Sequence, residues 1–440
     1  MKPNIVFLTI DSLRFDKIIG KNKSSITPNI DKLISDGTSF NQTISTADQT
    51  GVCLGSIFTS LYPFKSGISY FNFNHEVPNF FEIMKTEGYN LNSYLPDLSF
   101  FKNVSKNFDN NDYYVYNERN EWLQLIGYGN RIIEKIHSMS NPWFYFIHLM
   151  DLRPPYSIPS EFNKNEFGEI DYDRMLSYID SWIGKFLEKI ELEKTIFVLT
   201  SDHGDYISIF EEDLNEIKLP KLLKKTKKII PPKLSDRILS SLQKQKKSSE
   251  LKKLKDSLPP QEYRTLQNRC DNFLFDELVR IPLIFNGFNI TSNLTINQQV
   301  RQIDIFPTLI ELGNFSNTIK KINGRSLVPL LRNQSFSEEP AYIETGSSSS
   351  KVLGKLIGIR TSEYKYLRSR EQKTQDVILY DLINDKNELE NIASSKPEIV
   401  SEMEKILQLI RDNSNIDKSV IMSNQHSKEI EEELKKMGYI

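Results

Sequence analysis

Three short apolar runs constrain this chain more than any other feature: Asn4–Ile10, Trp143–Leu149 and Thr195–Thr200. Each is continuous rather than alternating, so each suits a strand buried on both faces in the middle of a parallel sheet. Helical patterning follows the first run from Pro28 to Asp36, with proline at an early helical position and Gly37 as the stop. A further helix is expected from Ser56 to Leu61, opening behind Gly55, and Ile281–Phe285 reads as another core strand. Strands alternating with helices predict an α/β fold, with a mostly parallel central sheet and helices on both faces. Strand ends present reactive groups in such a fold. Two of the runs end on Ile10-Asp11-Ser12 and on Ser201-Asp202-His203-Gly204.

At 440 residues the chain exceeds what one core usually covers. A large α/β domain is expected over 1–340 and a small α+β subdomain over 341–440. In the latter, Leu356–Arg360 and Tyr364–Leu367 flank the polar turn Thr361-Ser362-Glu363, and Val377–Leu382 supplies a third strand. Pro397–Ile410 follows as an amphipathic helix, and Glu431–Met437 as a terminal one. A net charge of -2 carries no electrostatic footprint for nucleic acid, so no nucleic-acid partner is expected. Cys53 and Cys270 are the two cysteines, too few for a disulfide framework, which points to a reducing compartment. The run Ile5–Ile10 is too short for a signal sequence or a membrane span, and the expected location is therefore the cytoplasm.

Composition shifts sharply inside the large domain, where a Lys-rich insertion is expected at about 214–268. Between Lys218 and Asp256, fourteen Lys and Arg stand against three acids, with Leu and Ile interleaved. One reading is a solvated insertion kept soluble by its lysines. The other is a basic amphipathic surface, Lys218–Lys255, that docks on an anionic membrane or on a phosphorylated or sulfated polymer.

The chemistry rests on types and spacing. Asp202 and His203 are adjacent at a strand end, and Gly204 permits the tight turn that lets both reach one centre. With Asp11 they offer carboxylate oxygens and one imidazole nitrogen, a set that suits one divalent ion: Mn, Ca, Mg or Zn. A metal touching Thr50 would stabilise its alkoxide, whereas a purely local role for Thr50 would be to cap the following turn.

These segments sit in a longer series of motifs. Pro3-Asn4-Ile5-Val6-Phe7-Leu8-Thr9-Ile10-Asp11-Ser12, Thr27-Pro28-Asn29-Ile30-Asp31, Ile57-Phe58-Thr59-Ser60-Leu61-Tyr62-Pro63, Ser201-Asp202-His203-Gly204, Phe275-Asp276-Glu277-Leu278, Asp304-Ile305-Phe306-Pro307-Thr308 and Gly324-Arg325-Ser326-Leu327 occur in that order. Together they resemble the sulfatases of the alkaline phosphatase superfamily. The resemblance implies an alkaline-phosphatase-like fold, with Asp11, Asp202 and His203 at the family's metal-ligand positions. Counting back from Thr59 places Thr50 where the family keeps its nucleophile.

The departures are as informative. Sulfatases carry there a Cys or Ser, in a C/S-x-P-x-R motif, that is oxidised to formylglycine; this chain reads Thr50-Gly51-Val52-Cys53-Leu54, so no formylglycine is expected. A formylglycine hydrate has two hydroxyls, one to attack and one to expel sulfate, and threonine has only the first. Arg153 stands where many relatives place a histidine, and its guanidinium suits a tetrahedral anion. Lys65 is a second anion-ligand candidate. Of five histidines only His148 and His203 lie at strand ends, which favours a single metal, with His148 a general acid or a hydrogen-bonding support. Three functions stay open: a hydrolase of sulfate or phosphate esters with a small-molecule or glycan substrate, a phospho-group transferase in surface-glycan or lipid synthesis, and a non-catalytic anion-binding member.

Overall fold

The computed structural model describes residues 2–20, 23–68, 73–115, 124–207, 264, 273–316, 321–346 and 356–412. The chain divides into two units, Met1–Asp205 with Asn272–Ile440, and Tyr206–Asp271. The basic stretch Lys218–Lys255 belongs to the second unit and lies outside the described residues, as does the expected helix Glu431–Met437. The elements below all belong to the first unit.

An eight-stranded sheet forms its centre. The strands are β1 (Asn4–Ile10), β2 (Thr38–Ile44), β3 (Asn90–Pro96), β4 (Asn110–Tyr114), β5 (Trp143–Leu149), β6 (Thr195–Thr200), β7 (Arg280–Gly287) and β8 (Leu294–Arg301). Their order is β4-β3-β5-β1-β6-β7-β2-β8. The three apolar runs lie side by side and parallel, with Thr9 in register with both His148 and Thr200. β7 runs against its neighbours β6 and β2, while β2 and β8 are parallel to each other. The carboxyl ends of β1, β2, β5, β6 and β8 therefore share one edge of the sheet with the start of β7. All the candidate chemistry hangs from that edge.

Burial explains the continuous apolar runs. All seven residues of β1 are buried. Phe7 packs on Phe306 (5.4 Å between ring centroids) and on Phe58 (6.0 Å). Val6 and Leu8 point to the opposite face and are equally buried, so neither face meets water.

Helix α1 spans Pro28–Ser35, close to its expected bounds, but α2 spans Thr50–Thr59 and starts six residues before the expected Ser56. Two glycines lower the helical propensity of the first half, Gly51 and Gly55. Packing overrides them: every residue of α2 is buried, and a Cβ on Gly55 would lie 2.3 Å from Ile68 Cγ2. Burial thereby makes the turn expected after Thr50 the start of a helix.

A four-stranded antiparallel sheet follows: β9 (Ala341–Glu344), β10 (Leu356–Arg360), β11 (Tyr364–Ser369) and β12 (Ile378–Asp381). Helix Pro397–Asp412 lays Met403 and Leu407 on Ile357, Ile359, Tyr366 and Leu379. Tyr62 and Ile303 from the main sheet's side join that cluster, so the small sheet shares a core with the large one.

Candidate active site

Asp11 leaves β1 directly into the sheet edge, its amide bonded to Leu149 O (2.8 Å). The next residue, Ser12, is left-handed (φ 65°), and its hydroxyl donates to Asp11 Oδ1 (2.5 Å). Asp11 is wholly buried. Burial by itself would raise its pKa, but the Arg153 charge and the His148 and His203 imidazoles hold it well below the usual carboxylate range. Arg153 Nη1 stands 3.5 Å from Asp11 Oδ1, and His148 Nε2 3.6 Å from Oδ2.

Asp202 arrives from β6, equally buried. Its Oδ1 accepts from the amides of His203 (2.9 Å) and Ser12 (3.3 Å). Its Oδ2 has no hydrogen-bond partner among the described residues and lies 3.5 Å from His203 Nε2. His203 Nδ1–H donates to Gly204 O (2.7 Å), which leaves the lone pair on Nε2. Gly204 is required by space: a Cβ would stand 1.9 Å from Glu277 O, and its amide bonds Leu278 O (2.7 Å). That contact seats the turn against the start of β7.

Thr50 is the first residue of α2, and Gln49 rather than Thr50 occupies the cap position. Its hydroxyl donates instead to Asp11 Oδ2 (3.1 Å) and lies 3.4 Å from His203 Nε2. The helix N-terminus adds partial positive charge where an alkoxide would form. Cys53, one turn on, bonds Ala47 O through its Sγ (3.1 Å), and burial pushes its thiol up. It is placed as a core residue, not a nucleophile.

His148 stands closer to the site than a supporting role alone implies. Its Nδ1 pairs with Thr9 Oγ1 (2.7 Å), and its Nε2 has no hydrogen-bond partner among the described residues. Asp11, His148 and Asp202 each present a ligand atom within 4.8 Å of the others. Two adjacent buried carboxylates, one of them with an oxygen that lacks a hydrogen-bond partner among the described residues, beside an imidazole nitrogen in the same state, are costly unless a cation completes them. The residues thus fit a divalent ion with oxygen and nitrogen ligands: the converging set is Asp11, Asp202 and His148, the last beyond the expected ligands, while the expected His203 stands beside it with Nε2 3.5 Å from Asp202 Oδ2. Lys65 lies half-buried on helix α3 (Pro63–Ser66); burial lowers its pKa, and no hydrogen bond or ion pair joins its ammonium to these groups.

Two supports had no sequence signal. Gln302, at the end of β8, bonds both the loop before Thr50 and the Ser201–Asp202 backbone. Asp48 Oδ1 accepts the Gly346 amide (2.6 Å) from the end of β9. Neither residue type in isolation hints at such a partner.

Comparison with known proteins follows the geometry. The sulfatase family pattern matches residues 3–315, and the pattern of the C-terminal region of N-sulphoglucosamine sulphohydrolase matches 262–413. Arylsulfatase K of Mus musculus is 23% identical over 322 residues, covering 70% of this chain and 46% of its own length. That of Danio rerio is 27% identical over 155 residues, covering 34% of this chain and 29% of its own. The matches thus span less than half the length of these relatives. Among solved structures, a phosphonate monoester hydrolase of Agrobacterium radiobacter superposes with a TM-score of 0.68 at 15% identity, over 94% of this chain and 96% of that one. A 2-O GAG sulfatase gives 0.67 at 16% identity, over 96% and 94%. These likenesses show the alkaline-phosphatase-like sulfatase fold. Since the family pattern takes in well over half of the chain, from the strand that delivers Asp11 past the turn that carries His203, the chain belongs to the sulfatase family.

Proposed function

We propose that this chain is a metal-dependent hydrolase that cleaves a sulfuric or phosphoric ester with Thr50 as nucleophile. One observation carries the reading: the Thr50 hydroxyl, at a helix N-terminus, lies within 3.4 Å of both Asp11 and His203, beside an Asp202 oxygen with no hydrogen-bond partner among the described residues. Asp11, Asp202, His203 and His148 would hold the cation. When bound, a divalent ion there supplies Lewis acidity that stabilises the Thr50 alkoxide and polarises the ester.

The chain's own groups do the rest. Asp11 Oδ2 orients the Thr50 hydroxyl, and the N-terminus of α2 favours its negative charge. Attack of the threonyl oxygen on sulfur or phosphorus forms that bond, breaks the bond to the leaving oxygen, which departs as the alcohol with the proton given up by Thr50, and leaves an ester on Thr50. Arg153 is placed to move from Asp11 to the anionic oxygens of the substrate. A threonyl ester has no second hydroxyl to expel the group, so water must attack it directly. Phosphoryl adducts are more readily cleared this way than sulfuryl ones.

The same feature favours a second reading, in which an acceptor alcohol replaces water and the protein is a phospho-group transferase. A glycan ester is the proposed substrate class, as the similarity to the 2-O GAG sulfatase structure supports. The Lys218–Lys255 stretch is proposed to meet an anionic membrane or polymer, to be tested by salt-sensitive vesicle binding that is lost when the stretch is deleted.

The deciding experiment is a panel of sulfate, phosphate monoester, phosphodiester and phosphonate substrates with Mn, Ca, Mg and Zn, run on wild type and Thr50→Ala. Loss of kcat on the order of 10³-fold in the variant is expected. Turnover that survives removal of the hydroxyl sinks the nucleophile assignment. Labelled product on an added alcohol rather than in water would select the transferase, and a silent panel would favour a non-catalytic anion-binding protein.

A further inference from the structure

We propose that Gln302 is a positioning residue that ties the nucleophile loop to the metal-ligand turn and so sets the distance between Thr50 and Asp202. The inference rests on the reading of Thr50 and Asp202 given above. Gln302 is wholly buried, in the one-turn helix Gln302–Asp304 that follows β8. Its Oε1 accepts the amide of Thr46 (3.4 Å), four residues before Thr50. Its Nε2 donates to Asp202 O (2.7 Å) and Ser201 O (3.1 Å). One side chain therefore touches both segments that carry the chemistry, and only a primary amide offers an acceptor and two donors in that planar arrangement.

Its own anchor is rigid. Arg301 pairs with Asp304 through Nη2 to Oδ1 (2.7 Å) and Nε to Oδ2 (3.1 Å), and Asp304 Oδ2 also accepts the Arg301 amide (2.9 Å). This gives a structural role to the Asp304-Ile305-Phe306-Pro307 motif, which contributes no group to the chemistry: it braces the turn that presents Gln302. On the other side Thr46 O accepts the Glu344 amide (2.9 Å) from β9. The loop before Thr50 is thus held between two supports, and Gln302 is the one that reaches the metal turn.

Gln299, on β8 three residues before Gln302, offers a matched control. It is as buried as Gln302 and equally bonded, with Nε2 to Arg360 O (2.9 Å) and Oε1 accepting from Arg360 Nη1 (2.6 Å), but it faces the C-terminal sheet. The test compares Gln302→Met with Gln299→Met, both of similar length without hydrogen-bonding capacity. Three quantities are measured: Mn2+ affinity by calorimetric titration, kcat and KM for the 4-nitrophenyl ester that wild type cleaves fastest, and amide hydrogen exchange.

Gln302→Met should weaken Mn2+ affinity or lower kcat by about 10–100-fold, the range expected for groups that orient metal ligands. KM should stay within about threefold, since a misplaced nucleophile slows chemistry more than binding. Exchange over residues 45–50 and 201–204 should quicken. Gln299→Met should lose stability while keeping all three. If the two variants match in affinity, kcat and exchange, Gln302 is a structural amide and the inference falls. Should wild type turn over no ester and bind no Mn2+, the proposed function fails instead, and exchange over 45–50 still decides whether Gln302 holds the loop.

Discussion

Buried charge is handled in opposite ways at two places in the molecule. Where the C-terminal sheet meets the short helix Asp276–Val279, Asp276 pairs with Arg360 (2.7 Å) and with Lys365 (2.6 Å), and Lys365 reaches Glu388 (2.6 Å). Two cations meet two carboxylates, and each carboxylate has a cation within 2.7 Å. At the sheet edge, by contrast, the ion pairs of the wholly buried Asp11 and Asp202 are looser, at 3.5 Å from Arg153 and from His203 and 3.6 Å from His148. Tightly paired charges hold a fold together, whereas loosely paired buried charges cost stability until something binds them. The first is a junction between two sheets. The second gathers ligand atoms of Asp11, His148 and Asp202 within 4.8 Å of one another.

The sharpest way to break this comparison is to remove one carboxylate from each place. Asp276→Ala removes the carboxylate that pairs with Arg360 and leaves Lys365 with Glu388 alone, and should cost about 3–5 kcal/mol, read as a lower urea midpoint. Asp202→Asn should leave the metal-free protein at least as stable as wild type while weakening Mn2+ affinity by at least about tenfold, followed by titration calorimetry. If the two substitutions destabilise alike, the distinction between junction and site fails.

The pH dependence of stability sharpens the junction side. Burial pushes the Glu388 carboxyl up to about 7, against the pull of Lys365, which is shared with Asp276. The folded state then holds a proton that the unfolded chain, with an ordinary value of 4.5, releases. This contribution is full below pH 4.5 and is lost as pH rises toward about 7. It is on the order of a few kcal/mol, at about 1.4 kcal/mol per pKa unit. Denaturation midpoints measured across that window should slope down with pH, and Glu388→Gln should flatten the slope. An unchanged slope in the variant would assign it elsewhere.

The smallest expected effect probes the clamp beside Thr50. A Cβ on Gly346 would lie 2.1 Å from Gln49 Cδ, so Gly346→Ala must displace the residue next to the nucleophile. Loss of about 1–3 kcal/mol in stability is expected from such overpacking. It should come with a kcat reduced by less than about tenfold, measured with the best ester of the panel. A larger catalytic loss would mean that the C-terminal sheet shapes the site more directly than its one amide contact with Asp48 implies.

Legibility in sequence followed hydrophobicity. β1, β5 and β6 match the three apolar runs residue for residue, because central strands need continuous apolar side chains. β3 and β4 are rich in asparagine, reading Asn-Leu-Asn-Ser-Tyr-Leu-Pro and Asn-Asn-Asp-Tyr-Tyr, and nothing in them separates an outer strand from a loop. α2 was half legible, since burial of the whole segment rather than propensity carries its first turn. That Asp11, Thr50, Asp202 and His203 converge was readable from strand ends and motif order. Arg153 comes to Asp11 as well, whereas Lys65 makes no bond there.

By itself, then, the sequence determined the parallel centre of the sheet and which residues stand at its reactive edge, because burial and strand ends are written in local composition. Only the tertiary structure decided how those residues are held. The nitrogen that His148 turns toward Asp11, the amide of Gln302 between two segments and the close approach of Gly346 to Gln49 depend on chain stretches far apart in sequence. A hydrogen bond between distant residues leaves no periodicity behind, and so becomes visible once the sheet has brought its two ends together.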